Sequence, residues 1–197
     1  MKKISLFVSM VLFIFSAVAV AHGPVRGKMT ATVAFDAPAD KVWDVINNYD
    51  DMSWHPGIQS VEADNGNNKG SVRVLTLKGG GKITEELKAY KADKMSYKYK
   101  ITDMTTVKTI QHAGQDEDVP VLPVENYQAT LTVKQKGAMS VVTWVATYYR
   151  GYVNNNPPEE LNEEAADEAV SAVLTAGLTS LAEKFGTKTN VKIEMRR

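Results

Sequence analysis

Residues 158–184 read PEELNEEAADEAVSAVLTAGLTSLAEK, and they carry the longest amphipathic pattern in the chain. Asn156 offers an oxygen that would cap the first helical turn, and the acidic residues that follow suit the positive end of a helix dipole. Gly186 favours an end to the helix. The apolar stripe comprises Ala166, Val170, Val173, Gly177 and Leu181, flanked by Ala169, Leu174, Leu178 and Phe185. Because several of these residues are small, we expect the helix either to lie very close to its neighbour or to leave room beside it.

A helix with one apolar face needs a partner layer, and the sequence before residue 150 supplies strands. Short alternating stretches are separated by Gly, Asn and Asp turns, which is typical of an antiparallel meander. Pro38 begins a short helix, and a second helical turn is expected before Trp54. The predicted strands cover residues 29–35, 58–62, 71–77, 82–90, 95–101, 127–134 and 139–149. We predict an α+β fold in which a curved antiparallel sheet of about six or seven strands wraps the C-terminal helix.

The two ends of the chain differ from this domain. Lys2 and Lys3 precede an apolar run that closes with Ala19-Val20-Ala21, which is the pattern of a secretory signal peptide. An uncleaved membrane anchor is the alternative, because the run is just long enough to span a bilayer. We expect a signal peptide over residues 1–21 that is cleaved after Ala21, a domain over 22–186 and a tail over 187–197. The tail either adds a short strand or is disordered.

Composition excludes several classes of function. The chain has 23 Lys and Arg, 23 Asp and Glu and no cysteine. Loss of Lys2 and Lys3 with the signal peptide leaves a slightly acidic protein, which argues against nucleic acid as a partner. Without cysteine there are no disulfides, thiolate metal sites or covalent c-type haem. No H-E-x-x-H motif or paired metal-ligand spacing occurs either, so we predict no cofactor and no metal site.

Two loop segments resemble binding motifs only superficially. Gly79, Gly80 and Gly81 lack the lysine and serine or threonine context of a phosphate loop, so they predict a hairpin turn. The acidic segment at 115–118 lacks the spacing of a calcium loop, so it predicts a solvated loop. If the protein docks to a partner, this segment or the acidic start of the last helix would meet basic patches.

Aromatic side chains share one face of several predicted strands. Alternation places Tyr97 and Tyr99 together, and it also places Trp144 with Tyr148 and gives Tyr127 an apolar face. These faces form either a filled core or a ligand cavity with a few polar groups. The loop WHPG at 54–57 would stand at one end of the cavity. The predicted ligand-binding residues are Trp54, His55, Tyr97, Tyr99, Tyr127, Trp144 and Tyr148.

The segments APADKVWDVI at 37–46 and WHPG at 54–57, together with the order of elements, resemble the START-related, pollen-allergen-like superfamily, also called SRPBCC. Its fold is the helix-grip. Within it, the segments HGP at 22–24, ENYQA at 125–129, YRG at 149–151 and NPPEELN at 156–162 resemble the MxaD-like family of methanol-oxidation proteins. The resemblance implies a periplasmic, non-catalytic accessory protein whose partners are methanol dehydrogenase and its cytochrome c, with a small hydrophobic ligand as a further possibility.

Two other functions remain open at this point. The superfamily also includes lipid carriers and cyclases, so the resemblance allows a polyketide cyclase-like or dehydratase-like enzyme in which His55 and an inward tyrosine act as acid and base. No catalytic motif in the sequence supports it. A free amine at His22 could also bind copper with His55 or His112, although histidine spacing gives this hypothesis little support.

Overall fold

The computed structural model describes residues 23–187 and 190–197. The predicted signal peptide and His22 lie outside the described residues. Eight strands form one antiparallel sheet in the order β10-β1-β9-β8-β5-β4-β3-β2, and β6 pairs with β7 in a separate hairpin. The strands are β1 Gly27–Phe35, β2 Ile58–Ala63, β3 Val72–Leu77, β4 Lys82–Lys91, β5 Ser96–Met104, β6 Thr106–His112, β7 Gln115–Pro120, β8 Val124–Lys136, β9 Met139–Arg150 and β10 Lys192–Arg196.

The described chain also has two α-helices, α1 Ala39–Ile46 and α2 Glu163–Lys184, and two short 3-10 helices at Ala92–Lys94 and Glu159–Leu161. The inner face of β1 shows why the sheet forms, because Met29, Ala31, Val33 and Phe35 are all buried in strict alternation. α2 packs on β1 and β9 and buries Leu174 and Leu178 completely. The predicted α+β helix-grip, with its C-terminal helix against a curved sheet, is therefore confirmed.

The start of the long helix differs from the prediction. α2 begins at Glu163, five residues after Pro158, and a 3-10 turn at Glu159–Leu161 precedes it. The capping side chain is Asn162, whose Oδ1 accepts a hydrogen bond from the Ala165 amide at 2.8 Å. Asn156 instead has a positive φ of 55°. The helix ends at Lys184, and Gly186 follows with a φ of 63°, as predicted.

Three further differences concern short elements. The acidic segment at 115–118 is not a loop, because it belongs to β7 and pairs with β6. The main sheet has eight strands against the six or seven predicted, because the tail adds β10 beside β1. The separate β6–β7 hairpin was not predicted. Residues 47–57 form turns rather than a second helical turn. The hairpin was missed because it is mostly exposed, so its sequence lacks an apolar face.

Candidate ligand cavity

A cavity of about 350 Å³ lies between the inner face of β3, β4 and β5 and the middle of α2. Most of its wall is apolar, as in many small-molecule sites. Gly79, Gly80 and Val107 belong to the wall and are exposed to solvent, so the mouth lies at the β3–β4 turn and the start of β6. Apolar wall residues include Met52, Leu75, Ile83, Ile101, Leu122 and Val173.

Four of the seven residues predicted to bind a ligand line this cavity. They are His55, Tyr99, Tyr127 and Trp144. All four residues are at least 95% buried. A ligand could therefore contact them only from inside the cavity. The Trp144 indole N–H donates a hydrogen bond to the Tyr99 hydroxyl at 3.1 Å. This bond fixes the two rings relative to each other.

The other three predicted residues are buried outside the wall. Trp54 packs behind it, with its ring centroid 5.6 Å from that of Trp144. Tyr97 lies against Trp43 and Tyr49 in the core below α1. Tyr148 stacks on Tyr127 and donates a hydrogen bond to Asp167 Oδ1 at 2.8 Å. These three side chains therefore support the wall.

His55 is held by hydrogen bonds on both ring nitrogens. The Gly57 amide donates to Nδ1 at 3.1 Å, and this makes Nε2 the protonated nitrogen that donates to the Val173 carbonyl at 3.0 Å. Burial lowers the pKa of His55 below its ordinary value, and the charge of Arg73 acts in the same direction. A second proton on Nδ1 would also displace the Gly57 bond. His55 is therefore a neutral wall residue that ties the loop to α2.

Gly177 explains how α2 comes so close to this loop. A Cβ at position 177 would lie 2.6 Å from His55 Cδ2 and 2.8 Å from Trp144 Cζ3. No real side chain tolerates such contacts without displacement of its neighbours. The two alternatives expected from the small residues of the helix therefore both occur. The helix lies close to the cavity wall at Gly177, and it leaves room for the cavity beside Val173.

A buried ion pair forms one side of the cavity. Arg73 on β3 and Glu85 on β4 are cross-strand partners in register. The Arg73 Nε donates to Glu85 Oε2 at 2.7 Å, and Nη2 lies 2.6 Å from the same oxygen. Arg73 is fully buried and Glu85 is 5% exposed, yet Glu85 belongs to the cavity wall. The apolar cavity thus contains a carboxylate held in place by a guanidinium.

Aromatic rings and a carbonyl fix the arginine. Its Nη1 donates to the Tyr49 carbonyl at 2.8 Å, and its Cζ lies 4.2 Å from the centre of the Tyr49 ring and 5.2 Å from that of Tyr99. Burial raises the pKa of Glu85, and the charge of Arg73 opposes the rise. The negative charge of this carboxylate therefore depends on Arg73.

The tyrosines of this region stay protonated near neutral pH. Burial raises the pKa of Tyr97 to about 12, and it also raises the pKa values of Tyr99 and Tyr127 well above their ordinary value. The charge of Glu85 adds to the rise at Tyr127, which lines the same wall. These hydroxyls are therefore hydrogen-bonding groups rather than acids or bases.

Sequence reasoning missed Arg73 and Glu85, although a signal was present. In β4, Glu85 stands on the same face as Ile83 and Leu87, which is an unusual place for a charge. A hairpin centred on Gly79 sets Arg73 opposite Glu85. Opposite charges at facing positions on the apolar side of two strands would have indicated the pair.

No group of three His, Asp or Glu side chains arranged to hold a metal ion occurs among the described residues. The copper hypothesis depends on His22, which lies outside them. His112 Nε2 is hydrogen-bonded to the Asn156 carbonyl at 2.7 Å. In the described part of the chain, no helix has the length and apolar character needed to cross a membrane.

The sheet, the covering helix and the cavity between them define a helix-grip protein. The chain belongs to the family described as "Polyketide cyclase / dehydrase and lipid transport", which matches residues 26–186. No curated protein sequence matches this chain significantly.

Solved structures show the same fold. The protein XoxI from Bacillus cereus is 23% identical, with a TM-score of 0.62 over 80% of this chain and 94% of that one. Norcoclaurine synthase from Thalictrum flavum, in complex with dopamine and hydroxybenzaldehyde, is 14% identical, with a TM-score of 0.55 over 93% and 94%. Major latex-like protein 151 from Panax ginseng is 15% identical, with a TM-score of 0.58 over 81% and 97%.

Proposed function

We propose that this protein binds a small, largely apolar molecule in the cavity between its sheet and α2 and does not transform it. The observation that carries the proposal is an apolar cavity of about 350 Å³ with a mouth at the β3–β4 turn. An empty cavity of about 150 Å³ accommodates benzene. The space here therefore suits a molecule of about two fused rings or an aliphatic chain of similar volume.

Two further points support ligand binding. The family description includes lipid transport, and lipids are largely apolar molecules. The norcoclaurine synthase structure of the same fold is in complex with two small aromatic molecules, dopamine and hydroxybenzaldehyde. In this chain the cavity wall likewise carries aromatic rings, from Tyr99, Tyr127 and Trp144.

The state of His55 and of the tyrosines argues against the acid–base pair expected for a cyclase-like enzyme. A histidine that acts as a general base needs a free ring nitrogen near the substrate, but both nitrogens of His55 are hydrogen-bonded to the backbone. The raised pKa values of Tyr99 and Tyr127 make them poor acids at neutral pH. A cyclase-like reaction through His55 is therefore the second candidate. A survey of polyketide-type substrates that shows turnover lost in His55→Ala would support it over the binding role.

Native mass spectrometry of the protein purified from its own cells tests the binding proposal. We expect a bound molecule that dissociates on unfolding. Val173 lines the cavity, so Val173→Phe fills it and should abolish copurification. Val153 is 52% exposed, so Val153→Phe adds the same ring outside the cavity and should keep the molecule. An empty wild-type protein, or equal occupancy in both variants, would contradict the proposal.

We also propose that this binding serves methanol oxidation in the periplasm, with methanol dehydrogenase and its cytochrome c as partners. The support is the set of MxaD-like segments, including ENYQA at 125–129 and NPPEELN at 156–162. Addition of the purified protein to dehydrogenase and cytochrome should raise the rate of cytochrome reduction. An unchanged rate at all protein concentrations would contradict this role, whereas the cavity would still be free to bind its ligand.

Export is a separate proposal that follows from the signal-peptide pattern. N-terminal sequencing of the protein from a periplasmic extract should begin at His22. Protein that retains Met1 in the membrane fraction would indicate an uncleaved anchor instead.

A further inference from the structure

The ion pair in the cavity wall uses only one oxygen of its carboxylate. Both contacting nitrogens of Arg73 approach Glu85 Oε2, and within the described part of the chain Oε1 accepts no hydrogen bond. Oε1 is not fully enclosed by other protein atoms. Because Glu85 lines the cavity, a ligand in the cavity could reach this oxygen. The result is a charged acceptor in the wall of a mostly apolar cavity.

The surroundings keep this acceptor fixed and its charge exposed to the ligand. Arg73 is held by the Tyr49 carbonyl and by the Tyr49 and Tyr99 rings, so it cannot swing to cover Oε1. Its Nε and Nη1 donate to Glu85 Oε2 and to the Tyr49 carbonyl, and Arg73 is not one of the residues that line the cavity. An anionic ligand would therefore meet the carboxylate rather than the guanidinium. A buried acceptor without a partner is unfavourable, whereas a donor on the ligand would satisfy it.

We propose that the cavity selects apolar molecules that carry a hydroxyl group or a similar hydrogen-bond donor at one end, and that Glu85 Oε1 accepts the hydrogen bond. The proposal deepens the proposed binding function and depends on it. Tyr99 and Tyr127 line the same cavity, so their hydroxyls are further polar groups in its wall. Molecules with a carboxylate at that end are rejected, because like charges would be brought together in a medium of low dielectric constant.

Three probes that share a naphthalene ring test this selectivity: 2-methylnaphthalene, 2-naphthol and 2-naphthoate, each titrated at pH 7 by ligand-observed NMR. We expect 2-naphthol to bind about tenfold to a hundredfold more tightly than 2-methylnaphthalene, as for a hydrogen bond to a charged group. 2-Naphthoate should bind most weakly of the three.

A double variant isolates the carboxylate. Arg73→Met with Glu85→Leu removes both charges while it keeps the volume, so no unpaired charge remains to unfold the protein. It should bind 2-methylnaphthalene and lose the preference for 2-naphthol. Glu62→Gln, which removes one member of the exposed Lys82–Glu62 pair, should keep the preference.

The possible outcomes distinguish the selectivity for a hydrogen-bond donor from the proposed ligand-binding function. Equal binding of 2-methylnaphthalene and 2-naphthol to the wild-type protein overturns the selectivity and leaves the cavity function standing. A preference that survives in the double variant also overturns the role of Glu85. Failure of every probe to bind overturns the binding function itself. If the double variant does not fold, the comparison of the three probes on the wild-type protein decides alone.

Discussion

Gly177 of α2 lies so close to His55 that a Cβ at position 177 would stand 2.6 Å from His55 Cδ2. The contact joins the long helix to the loop that forms one end of the cavity. The absence of a side chain at one position thus sets how closely the helix covers the sheet.

Gly177→Ala should lower the free energy of unfolding by about 1–3 kcal/mol, because the methyl group overpacks His55 and Trp144. The higher helix propensity of alanine opposes this loss by up to about 1 kcal/mol. Urea denaturation of Gly177→Ala in the wild-type and His55→Ala backgrounds measures the effect. The loss should shrink in the second background, and an equal loss in both would show that His55 is not the obstacle.

Stability should depend on pH through His55. Because its folded pKa is lowered from 6.5, the unfolded chain binds a proton at pH values where the folded protein does not. The free energy of unfolding should therefore decrease as the pH drops from about 7 through 6.5 toward the folded pKa. His55→Gln removes this titration and should flatten the curve over that window. The difference between the two proteins isolates His55 from Glu85, and parallel curves would exclude it as the titrating group.

Loss of one charge of the Arg73–Glu85 pair should destabilise the protein more than replacement of both residues by apolar ones. Glu85→Gln leaves a buried, uncompensated charge on Arg73 and should lower the free energy of unfolding by about 3–5 kcal/mol. Arg73→Met with Glu85→Leu should lose much less. As a control, Glu62→Gln at the exposed pair with Lys82, whose charged atoms are 3.9 Å apart, should change stability by less than about 1 kcal/mol. Losses in Glu85→Gln no larger than in this control would show that the pair does not stabilise the fold.

Two variants can distinguish the start of α2 predicted from the sequence from the start observed in the structure. Asn162→Ala removes the oxygen that accepts from the Ala165 amide and should lower the free energy of unfolding by about 1 kcal/mol. Asn156→Gly removes the side chain first expected to cap the helix, but glycine suits its positive φ, so stability should not fall. The reverse ranking in thermal or urea denaturation would place the cap at Asn156.

The sequence predicts the parts of this fold that have an apolar face. Strict alternation in β1 and the stripe through Val170 and Leu181 are enough to predict the sheet and the helix that covers it. The β6–β7 hairpin escaped prediction because its few buried residues, such as Val119, pack on a small separate cluster with Tyr152 and Leu161. Its strands carry no periodic signal.

The site could be predicted only in part for a related reason. Alternation identifies which face of a strand is buried, and this was enough to find Tyr99, Tyr127 and Trp144. It could not distinguish residues that line the cavity from residues of the filled core. Tyr97 and Tyr148 were therefore predicted to bind the ligand as well. That separation depends on how far α2 stands from the sheet, which Gly177 sets in three dimensions. Glu85 was missed because a charge on an apolar face makes sense only beside Arg73 on the next strand.

The central claim is that the space between the sheet and α2 is a binding site. Isothermal titration of 2-methylnaphthalene into the wild-type protein, Val173→Phe and Val153→Phe tests it most directly. The cavity predicts one saturable site per chain in the wild type and in Val153→Phe, and at least tenfold weaker binding in Val173→Phe, whose added ring occupies the space. Absence of saturable binding in the wild type, or equal affinity in Val173→Phe, would contradict the claim.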